Sequence, residues 1–280
     1  MHMILNLEST FRPVAGPEMA AECKIFSGGE PHIRIISEVP AGTAVTITHR
    51  LNSFEAFGML CLAVDALQRM DAVISKLIIP YFPAARQDRV MVPGESLSVK
   101  VYADIINRMG IQKVLVFDPH SEVTPALLDR VTAVPNHAFI AKVLEQINTS
   151  VQLVAPDGGA LKKIYKLSEY LGGINVVECS KRRDVKTGKL SGFEVFAEED
   201  LKGKDFLVVD DICDGGGTFL GLAQQLRKHH VGKLYLAVSH GIFSQGVDEL
   251  AKYYEQIFTT DSFRNIEHGQ VVQISLKDIL

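Results

Sequence analysis

The chain has 280 residues, 47% of them hydrophobic and 22% charged, with a formal charge of −4. That length and apolar content suffice for two medium domains, each with its own core. A mildly acidic chain is poorly suited to a nucleic-acid backbone or an anionic membrane as its main partner, which points to a small molecule, bound by a local basic loop if it is phosphorylated.

Cys23, Cys61, Cys179 and Cys213 are scattered with no C-x-x-C pair, a spacing that predicts neither disulfides nor zinc and a reduced, cytoplasmic setting. The opening MHMILNLEST lacks the basic start and apolar core of a secretory signal. No apolar run approaches the roughly 18 residues of a membrane span.

Residues 1–50 read as short strands at Ile4 to Leu7, Lys24 to Phe26, His32 to Ile36 and Ala44 to Thr48. Between the second and third, FSGGE at Phe26 to Glu30 predicts a hairpin turn through Gly28 and Gly29. FEAFGMLCLAVDALQRM then has helical periodicity, with Asn52 or Ser53 as N-cap. The next buried strand, Lys76 to Tyr81, delivers FPAARQDR to its carboxyl end, the edge where open α/β sheets place ligands. Arg86 and Arg89 offer planar, permanently charged forks for phosphate oxygens, and Asp88 can orient one of them. A solvated charged loop is the alternative. After a loop and a helix closing at Gly110, the strand Lys113 to Phe117 ends in DPHS. His120, between Asp118 and Ser121, is placed either to meet a metal or triphosphate or to serve as a local cap. A helix over His137 to Ile147 follows, and the domain boundary is placed near residue 147.

Strand Gln152 to Ala155 leads into PDGGALKK, where Asp157 precedes a helix N-terminus, a common capping position. Strand Asn175 to Glu178 runs into CSKRRDVKTGKLSGFEV, whose Lys181, Arg182, Arg183, Lys186 and Lys189 predict a mobile basic loop. Such a loop either stays solvated or closes over a polyphosphate, stabilising shifting charge and excluding water. FLVVDDICDGGGT, Phe206 to Thr218, joins a buried strand to a helix through acids and glycines. The unpaired N–H groups of the helix start and the bare backbone of Gly215, Gly216 and Gly217 make a phosphate cradle. Asp210, Asp211 and Asp214 would repel phosphate if they faced it, so they belong beside it as acceptors for hydroxyls, and a sugar phosphate satisfies both halves. Further strands are expected at Lys233 to Ser239, Gln256 to Thr260 and Val271 to Leu276.

FLVVDDICDGGGT resembles the phosphoribosyl-diphosphate loop of type I phosphoribosyltransferase folds. FSGGE, YFPAARQDR, FDPHS, APDGG and KRR resemble, in family order, segments of ribose-phosphate diphosphokinases. The resemblance implies an α/β fold of two tandem phosphoribosyltransferase-like domains, residues 1–147 and 148–280, each a mainly parallel sheet flanked by helices. It implies transfer of the diphosphoryl group of Mg–ATP to the anomeric hydroxyl of ribose 5-phosphate, giving phosphoribosyl diphosphate and AMP. By the same resemblance ATP meets Phe26, Glu30, Arg86, Gln87, Asp88 and His120, and Mg2+ meets His120 and Asp157. The ribose hydroxyls go to Asp157, Asp210 and Asp211, while Asp214, Gly215, Gly216, Gly217 and Thr218 form the 5-phosphate loop. Lys181 and Arg183 are the catalytic cations. A homo-oligomer is implied too, dimers assembled into hexamers, in which the Phe26 loop serves a neighbouring subunit. Two positions depart from the pattern: Gly28 stands where the family has Asp or Asn, and Gly215 where it often has Thr. A phosphoribosyltransferase would also explain the Gly-rich loop but leaves RQDR and DPHS without a task. A non-catalytic regulatory subunit should have lost a basic or metal-binding residue that this chain keeps.

Overall fold

Short β-branched runs separated by turn residues become the strands of two parallel sheets, and the amphipathic segments between them become covering helices. A computed structural model of the chain describes residues 1–183, 190–197 and 200–280, except for the side chains of 181–183, 190 and 191. It divides into two units, Met1–Pro135 with Ser262–Arg264 and Ser275–Leu280, and Asn136–Asp261 with Asn265–Ile274. The boundary therefore falls earlier than the expected residue 147. The helix His137–Ile147 packs its apolar face in the second unit, against strand Leu234–Gly241.

The first unit contains β1 (His2–Asn6), β2 (Ala21–Ile25), β3 (Pro31–Ile35), β4 (Ala44–Thr48), α1 (Phe54–Arg69), β5 (Val73–Ile78), α2 (Ser98–Asn107), β6 (Val114–Phe117), α3 (Val123–Leu127) and β7 (Val131–Val134). Its sheet has the order β1-β4-β5-β6-β7, parallel throughout. Ser53 caps α1 by accepting the Ala56 N–H at 3.0 Å, and Phe57, Leu60, Ala63, Val64 and Leu67 form its buried stripe. β2 and β3 form a separate antiparallel ribbon that lies on α1.

At the carboxyl ends of β1 and β4 a buried ionic cluster forms. Arg50, only 4% exposed, donates from Nε to Glu8 Oε2 at 2.8 Å and from Nη2 to Thr10 Oγ1 at 2.8 Å. Its backbone N–H and the His49 ring both reach Glu8 Oε1, at 2.9 and 3.1 Å. Burial pushes the Glu8 carboxyl up, but the hydrogen bonds from His49 and Arg50 and the Arg50 charge outweigh it and bring it down to about 2.

The second unit contains α4 (His137–Ile147), β8 (Gln152–Ala155), α5 (Leu161–Tyr170), β9 (Val176–Arg183), β10 (Leu190–Phe196), β11 (Phe206–Cys213), α6 (Gly217–Arg227), β12 (Leu234–Gly241), α7 (Asp248–Ala251), β13 (Gln256–Thr260) and β14 (Val271–Ile274). The sheet order is β10-β9-β8-β11-β12-β13-β14, parallel except for the β9–β10 pair. Phe206, Leu207, Val208 and Val209 are fully buried at its centre.

The expected basic loop differs from what forms: β9 extends to Arg183 and β10 returns antiparallel to it. Burial drives this pairing, because Phe193 packs against α6 where Gly221 has no side chain; a Cβ there would lie 2.5 Å from the ring. Lys186 and Lys189 lie outside the described residues. No helix among the described residues is long and apolar enough to cross a membrane, and all four cysteines are free thiols.

Glu8 sits below its ordinary value in the folded chain, so its stabilising contribution is present above about pH 4.5 and is lost as the pH falls toward 2. Glu8→Gln should cost about 2–4 kcal/mol at neutral pH, because it leaves Arg50 buried without its counter-charge. Urea midpoints of the two proteins should converge as the pH is lowered from 5 to 3; a gap independent of pH would contradict the ionic reading.

Candidate active site

In the second unit the site follows from unequal strand lengths. β8 is short and stands between two longer neighbours. Its ladder with β9 ends at Ala155↔Glu178, and its ladder with β11 ends at Val208↔Val154. β9 runs on to Arg183 and β11 to Cys213, so a notch opens at the carboxyl edge above β8. At its floor the chain turns through Asp157, whose Oδ1 accepts the N–H groups of Gly159 at 3.0 Å and Ala160 at 3.2 Å. Asp157 thus closes the turn ahead of α5 and stays partly exposed; it is not the helix cap, which is Ala160 with no side-chain hydrogen bond.

On the β11 side, Asp210 and Asp211 lie on the strand rather than in the turn. Successive side chains on a strand point to opposite faces. Asp211 is buried, with Oδ2 3.1 Å from Lys163 Nζ on α5. Its N–H donates to Asp210 Oδ1 at 2.9 Å. On the β9 side Lys181 and Arg183 occupy the terminal residues of the strand, and their side chains are outside the described part.

Past Cys213 the turn is fastened to the segment that follows β12. Ile242 and Phe243 donate to the Cys213 carbonyl at 2.9 and 3.0 Å. Ser244 donates from its N–H to the Asp214 carbonyl at 3.0 Å and from Oγ to Asp214 Oδ1 at 2.7 Å. Gly216 adopts φ 79° as N-cap, a left-handed conformation, and α6 begins at Gly217 with no side-chain cap. The first helical hydrogen bond is Leu220 N–H to the Gly216 carbonyl at 3.0 Å. The start of α6 thus has no side-chain cap, with Gly215 and Gly217 exposed and Thr218 half-buried, an arrangement in which unpaired N–H groups can meet an anion. A Cβ at Gly215 would meet Gln245 only at 3.6 Å, an ordinary contact, so packing does not exclude a side chain there.

In the first unit a second constellation forms at the carboxyl ends of the neighbouring strands β5 and β6. Arg86 and Gln87 are exposed and Asp88 is buried. Burial raises the Asp88 carboxyl, but a hydrogen bond from Ser121, the adjoining Arg89 at 3.1 Å and the nearby His120 outweigh it and hold it below its ordinary value. Asp88 therefore ties RQDR to DPHS. His120 is exposed beside the buried Asp118, whose φ of 38° turns the chain at the strand end.

FSGGE forms the expected hairpin tip. Phe26 N–H donates to the Glu30 carbonyl at 2.9 Å, and Gly29 takes φ 89°. The Phe26 ring is 47% exposed, held by Lys24 Nζ at 4.5 Å and by His32 at 5.5 Å between centroids. Sequence reasoning gave Lys163, Ser121 and Ser244 no role in holding the acids: Ser121 and Lys163 end the DPHS and PDGGALKK stretches, and that the three hold Asp88, Asp211 and Asp214 follows only from the pairing of distant elements.

Fold and site together define a protein of the phosphoribosyltransferase type. A family described as phosphoribosyl transferase domain matches residues 130–278, and one described as the N-terminal domain of ribose phosphate pyrophosphokinase matches residues 13–110. The ribose-phosphate pyrophosphokinase of Aquifex aeolicus is 33% identical over 226 residues, 78% of this chain and 70% of that protein. That of Thermococcus kodakarensis is 29% identical over 265 residues, 92% of this chain and 90% of that protein. The crystal structure of phosphoribosylpyrophosphate synthetase from Mycobacterium smegmatis shares the fold, with a TM-score of 0.85 at 22% identity over 99% of this chain and 95% of that one. The chain belongs to the ribose-phosphate pyrophosphokinase family.

Gly216→Ala should cost about 1–2 kcal/mol, since it adds left-handed strain and sets a Cβ 3.2 Å from Leu250. Gly217→Ala, whose Cβ meets nothing within 4 Å, should stay within about 0.5 kcal/mol of the parent. Thermal unfolding of both variants checks this; equal losses would contradict the left-handed cap.

Proposed function

We propose that the two carboxyl edges divide the substrates of the family's reaction between them. As a member of the ribose-phosphate pyrophosphokinase family, the chain transfers the diphosphoryl group of ATP to the anomeric hydroxyl of ribose 5-phosphate, giving phosphoribosyl diphosphate and AMP. The observation that carries the assignment is the uncapped, glycine-lined start of α6 beside the strand-end acids of β11. There Gly215, Gly216, Gly217 and Thr218 take the 5-phosphate, with Asp214 anchoring their turn, and Asp157, Asp210 and Asp211 accept hydrogen bonds from the ribose hydroxyls. ATP is taken by Arg86, Gln87, Asp88 and His120, with Phe26 and Glu30 contributed by a neighbouring subunit of a dimer-based homo-oligomer. The exposed ring at the hairpin tip supports that last role.

Among the described residues no group of three or more His, Cys, Asp or Glu could hold a metal. A hard cation takes one or two carboxylate oxygens and completes its shell with phosphates and water; Asp157 would supply such an oxygen to Mg2+, and the family resemblance adds His120 as a ligand. When bound it would neutralise polyphosphate charge. The chain's own residues position the sugar hydroxyl and stabilise charge on the leaving AMP, the latter falling to Lys181 and Arg183. Free thiols and the absence of any paired-cysteine motif support a cytoplasmic setting.

AMP should accumulate from ATP only with ribose 5-phosphate and Mg2+ present and no nucleobase added. Lys181→Ala should lower kcat by about 10²–10³. AMP formed without the sugar, or none formed by a chain that binds both substrates, would contradict the proposal.

A further inference from the structure

The ion pair between Lys163 and Asp211 crosses from a helix to a strand inside the notch, and nothing in the reaction as assigned yet uses Lys163. Asp211 Oδ2 lies 3.1 Å from Lys163 Nζ, and the Asp211 side chain is 9% exposed against 41% for Lys163. A surface pair of this kind contributes little, but a nearly buried carboxylate is costly unless a cation or donors compensate it. The need is sharper here, because Asp210 adjoins it, Asp157 stands at the neighbouring strand end and the α6 cradle beyond the strand is built for an anion. Each negative neighbour favours the protonated form of Asp211, in which it would cease to be a pure acceptor.

Lys163 lies in the opening turn of α5, directly after the Asp157 turn, so one short segment carries both Asp157 and the cation that reaches Asp211. We infer that Lys163 is a positioning residue: it keeps Asp211 ionised and fixes its carboxylate in one orientation as an acceptor for a sugar hydroxyl. This rests on the sugar-phosphate reading of the notch. The pair gives the site a second property, because it couples the α5 turn to β11, and displacing either one displaces an acceptor for the sugar.

The test is a set of variants, Lys163→Met, Lys163→Arg, Asp211→Asn and the double variant Lys163→Met/Asp211→Asn. Lys163→Met should raise KM for ribose 5-phosphate about tenfold and leave KM for ATP unchanged, the size of one charge-assisted hydrogen bond. Lys163→Arg should restore it to within about threefold. By calorimetry, Lys163→Met should change the dissociation constant for ribose 5-phosphate less than about twofold once Asp211 is Asn, as expected of a residue whose effect on the sugar runs through that carboxylate. Effects that multiply in the double variant would overturn the inference, as would a fall in unfolding temperature with both KM values rising together. An active parent whose Lys163→Met variant matches it overturns the inference alone; a parent that forms no sugar-dependent AMP overturns the assignment of the notch as well.

Discussion

A parallel strand that stops early between two that continue leaves a gap at the carboxyl edge, and the second unit is organised around such a gap. β8 ends at Ala155 while β9 and β11 run on, so residues far apart in sequence come to one sheet edge: Asp157 after β8, Asp210 and Asp211 on β11, and the end of β9. The gap is kept open by burial elsewhere. Phe206 to Val209 fill the centre of the sheet, and Phe193 holds β10, and through it β9, against α6. These packing contacts stabilise the walls without occupying the notch, so the exposed rim can carry charges and a left-handed glycine that a core could not accept.

The electrostatics of the rim follow from what an anion site must avoid. Four carboxylates near the α6 start would repel an anion there if they shared its direction. Each is instead engaged by a partner: Asp157 by the backbone of its own turn, Asp210 by the Asp211 N–H, Asp211 by Lys163, and Asp214 by Ser244. The cradle itself offers backbone donors from an uncapped helix, which carry no side-chain entropy and are already oriented. The first unit repeats the architecture with different side chains. There Asp88, held by Ser121 and Arg89, joins two loops leaving adjacent strands and orders a guanidinium-bearing segment. In both units a parallel sheet supplies the edge and one anchored aspartate sets the loop geometry.

Much of this was legible in the sequence where the signal is local. The helix His137–Ile147 and the strands Ala44–Thr48, Gln152–Ala155 and Gln256–Thr260 formed with the expected limits, because burial, periodicity and turn residues agree there. FSGGE formed the hairpin that its glycines predict. The misses share a cause, which is that pairing across the sheet is not written in neighbouring residues. β10 alternates Phe193 and Val195 inward with Glu194 and Phe196 outward, a period-2 pattern masked by the run of cations before it. β11 carries two acids within its strand because β12 pairs with it to the end, through Ile212↔His240 and Cys213↔Gly241. The domain boundary moved because α4 buries its face in the sheet that follows it in sequence rather than the one that precedes it. Lys163 reads as an ordinary helix-surface lysine until β8 and β11 are known to be adjacent.

The central claim is that the notch above β8 seats a sugar phosphate with its phosphate on the α6 start and its hydroxyls on the strand-end acids. A crystal structure of the protein with ribose 5-phosphate tests this most directly. The account predicts phosphate oxygens within hydrogen-bond reach of the N–H groups of Gly216, Gly217 and Thr218, and ribose hydroxyls on Asp210, Asp211 or Asp157. A sugar phosphate bound away from the α6 start, or bound there with its hydroxyls turned from all three aspartates, would contradict it.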